Sequence, residues 1–319
     1  MKDRYGRTID YMRISITDRC NLRCKYCMPN DIETTSMSEI LTFEEIQKIV
    51  EASVKLGIVN YRITGGEPLV RKGCANLIQM IKQTKGVARV GMTTNGVLLE
   101  KQVKALKEAG LDSLNVSLDT IDAEQFEKLS GKDELEHVLA GIDAALESGI
   151  PVKINTVNRK ELDWKRILFY ASKKGIPVRF IEMMPIGYGK DYMGISNEKL
   201  AKEIARKYGA AKTITESYGK GPANYKQFDK LGIDVGFISA MNHKFCNQCN
   251  RIRLTAEGYL KLCLCYNDGI DLRDIVRNLT KADTLLQVMK QAIEEKPLEH
   301  CFEERNEITE SNAMIQIGG

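Results

Sequence analysis

Three cysteines fall close together in Cys20-Asn-Leu-Arg-Cys24-Lys-Tyr-Cys27, with the aromatic Tyr26 just before the last. The spacing Cys-x3-Cys-x2-Cys suits one metal centre. Three thiolates can hold three irons of a [4Fe–4S] cluster, whose usual complement is four cysteines, so the fourth iron would be left open to a substrate or cofactor. Zinc is the competing occupant. It prefers four ligands in a closed tetrahedron. No fourth cysteine lies nearby, and His137, His243 and His300 are all distant in sequence.

A second group reads Cys246-Asn-Gln-Cys249 and then Cys263, again three thiols without an obvious fourth. Cys265 is an alternative to Cys263. If Leu262-Cys263-Leu264-Cys265 is a strand, both cysteines face one side. A structural zinc site using all four then competes with a second iron–sulfur cluster that keeps a vacant iron. Between these cysteines, Arg251 and Arg253 point the same way in a strand. Two guanidiniums on one face suit phosphates, unless the pair is simply a solvated edge. Arg13, Arg62, Lys153 and Arg179 sit inside other candidate strands. Inward cations need an anionic partner, because an unpaired buried charge is costly. A triphosphate would supply it; the acids Glu182 and Asp119 are the internal alternative.

These residues must be held by a scaffold. Candidate strands are Met12–Ile16, Asn60–Thr64, Arg89–Thr94, Ser113–Leu118, Pro151–Val157 and Pro177–Met183. Candidate helices lie between them, at Thr42–Leu56, Cys74–Lys82, Glu100–Ala109, Asp122–Leu129, Glu134–Glu147 and Leu162–Lys174. The first opens with Thr42 as cap and Glu45 reaching back, a capping box. Strand–helix alternation calls for parallel strands with right-handed crossovers. In a barrel of that kind, chemistry collects at the C-terminal strand ends. The first cysteine triplet, Gly65-Gly66-Glu67-Pro68, Thr93-Thr94-Asn95-Gly96 and Ser117-Leu118-Asp119 all fall there, which favours a partial barrel over an open doubly wound sheet. Two glycines at a strand end let the backbone approach a ligand closely. Exposed carbonyls there, with the Glu67 carboxylate, can receive an ammonium group. Past Pro185 the pattern changes to a helix at Ser196–Tyr208, strand-like runs at Lys212–Glu216, Tyr225–Phe228 and Val235–Ser239, and helices at Asp271–Arg277 and Ala282–Glu294.

Bulk properties narrow the function classes. Net charge is only +4, from 47 basic and 43 acidic residues, too mild to argue for nucleic acid as partner. The N-terminus has no signal-peptide pattern, and no apolar run approaches bilayer length. A cytoplasmic protein is expected. Clustered cysteines in the reducing cytosol suggest metal rather than disulfides.

An open iron can be chelated by the amino and carboxylate groups of S-adenosylmethionine; one electron then releases a 5′-deoxyadenosyl radical. At this point the chain resembles the radical S-adenosylmethionine superfamily. With Arg62–Pro68, Met92–Gly96, Asn115–Asp119, Arg179–Met184, Phe245–Leu254 and the terminal Ile317-Gly318-Gly319 added, it closely resembles the GTP 3′,8-cyclase family of molybdenum cofactor biosynthesis. That resemblance implies an incomplete (β/α)6 TIM-like barrel over residues 1–185 and a C-terminal iron–sulfur module over 186–319 that closes the open side. It implies two [4Fe–4S] clusters, held by Cys20, Cys24 and Cys27 and by Cys246, Cys249 and Cys263. Tyr26, Gly66, Glu67, Ser117 and Met184 are expected at S-adenosylmethionine. Arg13, Arg62, Thr93, Lys153, Arg251 and Arg253 are expected at GTP, with Arg179 an active-site cation that the tail approaches. Gly318 and Gly319 are expected to enter the site and promote radical chemistry.

The implied reaction is that of a lyase. The deoxyadenosyl radical takes hydrogen from C3′ of the GTP ribose, C3′ attacks C8 of guanine, and reduction yields 3′,8-cyclo-7,8-dihydro-GTP. A reductant and a downstream cyclic pyranopterin monophosphate synthase are the implied partners, with the chain a monomer or homodimer and no nucleic acid or membrane. Two other readings compete: a radical S-adenosylmethionine protein-modifying enzyme with auxiliary clusters, and a zinc or iron–sulfur binding module.

Overall fold

The fold follows from alternation along short strands. A computed structural model describes residues 1–28, 32, 34–192, 194–214, 218–278 and 282–318. Six strand–helix steps come first. They are β1 (Tyr11–Ser15), α1 (Phe43–Lys55), β2 (Asn60–Thr64), α2 (Cys74–Gln83), β3 (Arg89–Thr94), α3 (Leu99–Glu108), β4 (Ser113–Ser117), α4 (Ala123–Ser130), α5 (Leu135–Glu147), β5 (Val152–Asn158), α6 (Trp164–Lys174) and β6 (Val178–Glu182). The rest of the chain adds α7 (Asn197–Tyr208), β7 (Ala211–Ile214), β8 (Asn224–Phe228), β9 (Asp234–Ile238), β10 (Arg251–Leu254), β11 (Tyr259–Lys261), β12 (Gly269–Asp271), α8 (Arg273–Arg277) and α9 (Ala282–Glu294).

Helix boundaries come from local chemistry. Thr42 and Glu45 form the expected capping box at α1: the Thr42 hydroxyl accepts from Glu45 N at 3.2 Å and Thr42 N donates to the Glu45 carboxylate at 2.7 Å. Asp122 and Ser196 cap α4 and α7 in the same way, each accepting from the residue three positions on.

All twelve strands form one sheet in the order β12-β11-β10-β1-β2-β3-β4-β5-β6-β9-β8-β7. The run from β10 to β9 is parallel, and antiparallel hairpins flank it. The two edge strands do not pair with each other, so the barrel is incomplete. Segments after residue 185 extend both edges of the six-strand core, β10 beside β1 and β9 beside β6. On the outer face Met12, Ile14, Ile63, Met92, Ile154 and Phe180 are fully buried beneath the helices. Alternate residues therefore face the concave side. Arg253, Arg13, Arg62 and Gly91 lie in one cross-strand row, and Asn115 lies opposite Lys153. No described helix is long and apolar enough to cross a membrane.

Three expectations need correction. The chain leaves the sheet after Lys261, so Cys263 and Cys265 are not on a strand. Cys265 turns inward, fully buried, with its sulfur 2.8 Å from that of Cys301. The buried Lys261 side chain holds this turn, donating to Tyr266 O at 3.0 Å and pairing with Glu310. The helix predicted from Asp271 begins at Arg273, because Gly269–Asp271 pairs with β11. Of the run expected at Lys212–Glu216, the strand covers Ala211–Ile214, and residues 215 and 216 lie outside the described residues.

Candidate active site

The loop after β1 carries the first triad. Cys27 N and Met28 N both donate to Cys24 O, at 2.9 and 2.8 Å. The Arg23 guanidinium clamps the same loop through Cys20 O at 2.8 Å and Leu22 O at 2.9 Å. Leu22 N and the Asn95 amide point N–H groups at the Cys20 sulfur. Burial pushes all three thiols up, Cys27 to about 12, and Cys24 and Cys27 are raised further by their cysteine neighbours. The thiols are thus mutually close and without a cation strong enough to ionise them. A metal must supply that charge.

Gly65 and Gly66 stitch the end of β2 to this loop. Gly66 N donates to Thr17 O at 2.6 Å, and Glu67 N donates to Arg19 O at 2.9 Å. A Cβ on Gly66 would sit 2.4 Å from Arg19 O, and one on Gly65 would sit 2.5 Å from Thr17 O. Only glycine permits that approach, which leaves Gly65 and Gly66 lining the cavity.

Glu67 departs from expectation. Its carboxylate accepts from Leu69 N at 2.9 Å, Thr94 Oγ1 at 2.7 Å and Asn95 N at 2.6 Å, and it does not line the cavity. It braces two strand ends instead of facing a ligand. Burial outweighs those donors and pushes its carboxyl up to about 7. Glu67→Gln is expected to destabilise the fold by about 1–3 kcal/mol, since an amide cannot accept three N–H or O–H groups as a carboxylate does. Denaturant unfolding of the apo-protein measures this.

Tyr26, Ser117 and Met184 line the same space. The Tyr26 hydroxyl donates to Asp119 Oδ2 at 2.7 Å, while Asp119 Oδ1 accepts from Val157 N at 2.8 Å. The tyrosine ring is thereby fixed beside the first triad.

Cys246, Cys249 and Cys263 line the same cavity, of about 780 Å³, as Cys20, Cys24 and Cys27. Cys246 and Cys249 are joined by a tight turn, Cys249 N donating to Cys246 O at 3.1 Å. Arg7 ties it down through Cys246 O at 2.9 Å and Leu298 O at 2.6 Å, itself held by Asp3 at 2.6 Å. The electrostatics differ from those of the first triad. Burial raises the Cys249 thiol, but Lys296 and then Arg251 outweigh it and bring it down to about 7. Cys265 is held away at Cys301, so a four-cysteine zinc site is not assembled. Among the described residues no three His, Cys, Asp or Glu gather about one point as for a single ion. Two sets of three soft thiols fit the donor chemistry of an iron–sulfur cluster with one iron unligated by cysteine.

The strands bring Arg13, Arg62, Lys153, Arg179, Arg251 and Arg253 to the wall of this cavity, with Arg89 at the start of β3. Arg62 crosses the concave face to donate to Tyr11 OH and Met92 O, both at 2.8 Å. Gly91 makes room, since a Cβ there would lie 2.7 Å from the Arg62 guanidinium. Arg179 donates to Asn155 Oδ1 at 2.9 Å, and its Nη2 is buried without a partner among the described residues. Burial and then mutual repulsion lower Lys153 to about 8 and Arg253 to about 10, and hold Arg13 well below the usual guanidinium range. The acids considered as internal partners are used elsewhere. Glu182 accepts from Asn197 N and Met241 N, both at 2.9 Å, and Asp119 is held by Tyr26 and Val157. Thr93 sits in the same wall, hydrogen-bonded by Asn115 at 3.4 Å.

The C-terminal tail passes both triads, Ala313 and Ile315 packing beside Cys20 and Cys27 and Ile317 beside Cys263. Gly318 O accepts from Arg253 Nη1 at 2.6 Å and Arg13 Nε at 3.4 Å. Gly319 lies outside the described residues. Tyr11, Asn95, Asn155, Lys296 and His300 also shape the cavity and were not singled out from sequence. Asn95 and Asn155 could have been found from their positions on polar strand ends; nothing local marks Lys296 or His300.

Residues 14–168 match the model of the radical SAM superfamily, and residues 176–302 match that of Molybdenum Cofactor Synthesis C. A GTP 3′,8-cyclase of Clostridium perfringens (strain SM101 / Type A) is 41% identical over all of both chains, and one of Alkaliphilus oremlandii (strain OhILAs) is 43% identical, also over all of both. The chain belongs to the GTP 3′,8-cyclase family. Among solved structures, Streptococcus suis SuiB bound to S-adenosylmethionine superposes with a TM-score of 0.63 over 97% of this chain and 78% of its own, at 15% identity. SuiB bound to precursor peptide SuiA gives 0.64 over 91% and 66%. At that identity the likeness is one of fold, and it is the partial barrel that is shared.

Proposed function

We infer that the chain is a GTP 3′,8-cyclase, converting GTP into 3′,8-cyclo-7,8-dihydro-GTP in the first step of molybdenum cofactor biosynthesis with S-adenosylmethionine and two [4Fe–4S] clusters. One observation carries this reading: two three-thiol sites share a single cavity whose wall is lined with cations. When bound, the first cluster and S-adenosylmethionine supply a 5′-deoxyadenosyl radical, and the second cluster offers an iron to the guanine base.

The protein's own part is placement. Cys20, Cys24 and Cys27 hold the first cluster on this reading, and Cys246, Cys249 and Cys263 hold the second. Gly66, Tyr26, Ser117 and Met184 shape the S-adenosylmethionine pocket. Arg13, Arg62, Thr93, Lys153, Arg251 and Arg253 position GTP, with the triphosphate neutralising cations that otherwise repel one another. Arg179 keeps one buried N–H pair for an anion. Orientation is the chief demand, because ribose C3′ and guanine C8 must be held in contact within a dry site. We further read the enzyme as a cytoplasmic lyase, divided near residue 185, supplied by a separate electron donor and followed by cyclic pyranopterin monophosphate synthase.

Lys153 gives this reading a pH signature. Burial and then the neighbouring guanidiniums bring its ammonium down to about 8, and a bound phosphate would raise that value. Binding then takes up a proton above about pH 8, so GTP affinity is expected to fall by up to about tenfold per pH unit there. Lys153→Arg should move the decline to higher pH. Isothermal titration with GTP in two buffers measures both.

The decisive experiment is anaerobic incubation with GTP, S-adenosylmethionine and a reductant, with mass analysis of the products. 5′-Deoxyadenosine and a cyclised nucleotide of GTP mass, formed together, are the expected result. Deoxyadenosine without a GTP-derived product overturns the substrate assignment.

A further inference from the structure

Two buried lysines lie near the second triad, and they are treated differently by the fold. Lys261, 1% exposed, is neutralised by Glu310. Lys296, 2% exposed, has no carboxylate partner among the described residues; its ammonium donates to Leu262 O, the carbonyl just before Cys263. A buried ammonium with only a carbonyl for company is costly unless an anion lies beside it. The fold nevertheless fixes it there. Lys296 N bonds to Ile293 O at the end of α9, and its carbonyl and that of Pro297 accept from Arg7, the same guanidinium that clamps Cys246 O.

Lys296 thus reaches every arm of the triad. It touches the Cys263 arm through Leu262 O, shares Arg7 with the Cys246 arm, and lines the cavity with Cys246, Cys249 and Cys263. At the first triad the buried cation, Arg159, is already paired with a carboxylate, Asp119, at 3.8 Å.

We propose that Lys296 is a built-in counter-ion for the second cluster, a positioning residue that stabilises its electron-rich state. A [4Fe–4S] core with three thiolates is anionic, and reduction makes it more so. A fixed cation beside it favours the reduced form and raises the potential, because net charge around a cluster is one of the main terms that set it. The inference rests on the proposed reading that Cys246, Cys249 and Cys263 carry a cluster.

The test is a redox titration of the anaerobically reconstituted full chain, followed by electron paramagnetic resonance. The second cluster is recognised as the signal that GTP perturbs, and the first as the signal that S-adenosylmethionine perturbs. In Lys296→Gln the second cluster should become harder to reduce by about tenfold or more, which is 59 mV for a one-electron couple. Lys296→Arg should restore it, and the first cluster should not move in either variant. Loss of the second cluster from Lys296→Gln but not from Lys296→Arg also supports a charge role. An unchanged potential in Lys296→Gln overturns the proposal, and weakened GTP binding with that unchanged potential reassigns the lysine to substrate. Equal shifts in both variants, or cluster loss from both, mean that shape and not charge is at work. A wild-type chain without a GTP-sensitive cluster would sink the site reading itself, a failure distinct from that of the lysine.

Discussion

Cys27→Ser is expected to leave the protein folded, with about four of its about eight irons gone and no 5′-deoxyadenosine formed. The reasoning starts from burial. Cys27 packs with Met28, Ala313 and Ile315, and its thiol is pushed up to about 12. Protonated, it behaves as a small apolar group and ligates nothing. A cluster ionises it by lowering the cost of the thiolate, and a serine hydroxyl, harder and far less acidic, does not repeat that exchange. Cys74→Ser is the control, since Cys74 is also a thiol pushed up by burial, 1% exposed, but lies in the helical layer away from the cavity. It should keep all of its iron at a modest cost in stability. Iron and sulfide analysis with an assay for S-adenosylmethionine cleavage reads both variants. Full iron content in Cys27→Ser would remove the first triad from the ligand set.

Local chemistry was legible and long-range pairing was not. The six strands of the core, their helices and the Thr42 cap could be read because alternation and capping are properties of adjacent residues. Alternation also placed Arg13, Arg62, Lys153 and Arg179 inside candidate strands, without saying which way they face. Their convergence with Arg253 depends on β10 lying parallel beside β1, with Arg13 opposite Arg253. No periodicity announces a pairing across that much chain. Glu67 was misread for a related reason. Its three donors come from its own turn and from Thr94 and Asn95, which only the packing of β2 beside β3 brings within reach. Cys265 stayed open as an alternative to Cys263 because a run of alternating leucine and cysteine can be a strand, whereas the buried Lys261 and its partner Glu310 hold a turn there.

The same geometry polarises the cavity. Asp119, offset by Arg159 at 3.8 Å, stands at the end with the first triad, while the cations Lys296, Arg251 and Arg253 stand at the other. On the proposed reading a sulfonium with its ammonium meets the first end and a nucleoside triphosphate meets the second. Charge therefore sorts two ligands that a neutral cavity of this size would admit in either order. It also sets Cys249, which Lys296 and Arg251 bring down to about 7, apart from the thiols of the first triad, which burial pushes up.

Truncation after Ile317 is expected to leave both clusters in place and to cut GTP-dependent cleavage of S-adenosylmethionine by about 10²-fold or more, the scale of losing one positioned group. Ile317 is the anchor, 1% exposed and packed with Ile186 and Leu264. Beyond it the space narrows. Gly318 has φ +76°, and a Cβ there would lie 3.1 Å from the Cβ of Ser15 and 3.6 Å from Thr64 Cγ2. Its carbonyl lies at Arg253 and Arg13, the two guanidiniums that face each other across β10 and β1. The tail thus closes the strand ends beside the cation row and holds two of those cations in register. Removing it takes that carbonyl away from both guanidiniums and opens the cavity to water at the point where the reacting groups must be kept apart from it. Gly318→Ala separates the contributions: it keeps the chain length but strains the backbone by about 1–2 kcal/mol, so its loss should be smaller than that of the truncation. Unchanged deoxyadenosine formation by the truncated enzyme, with GTP present and both clusters counted, would show that the tail is packing alone.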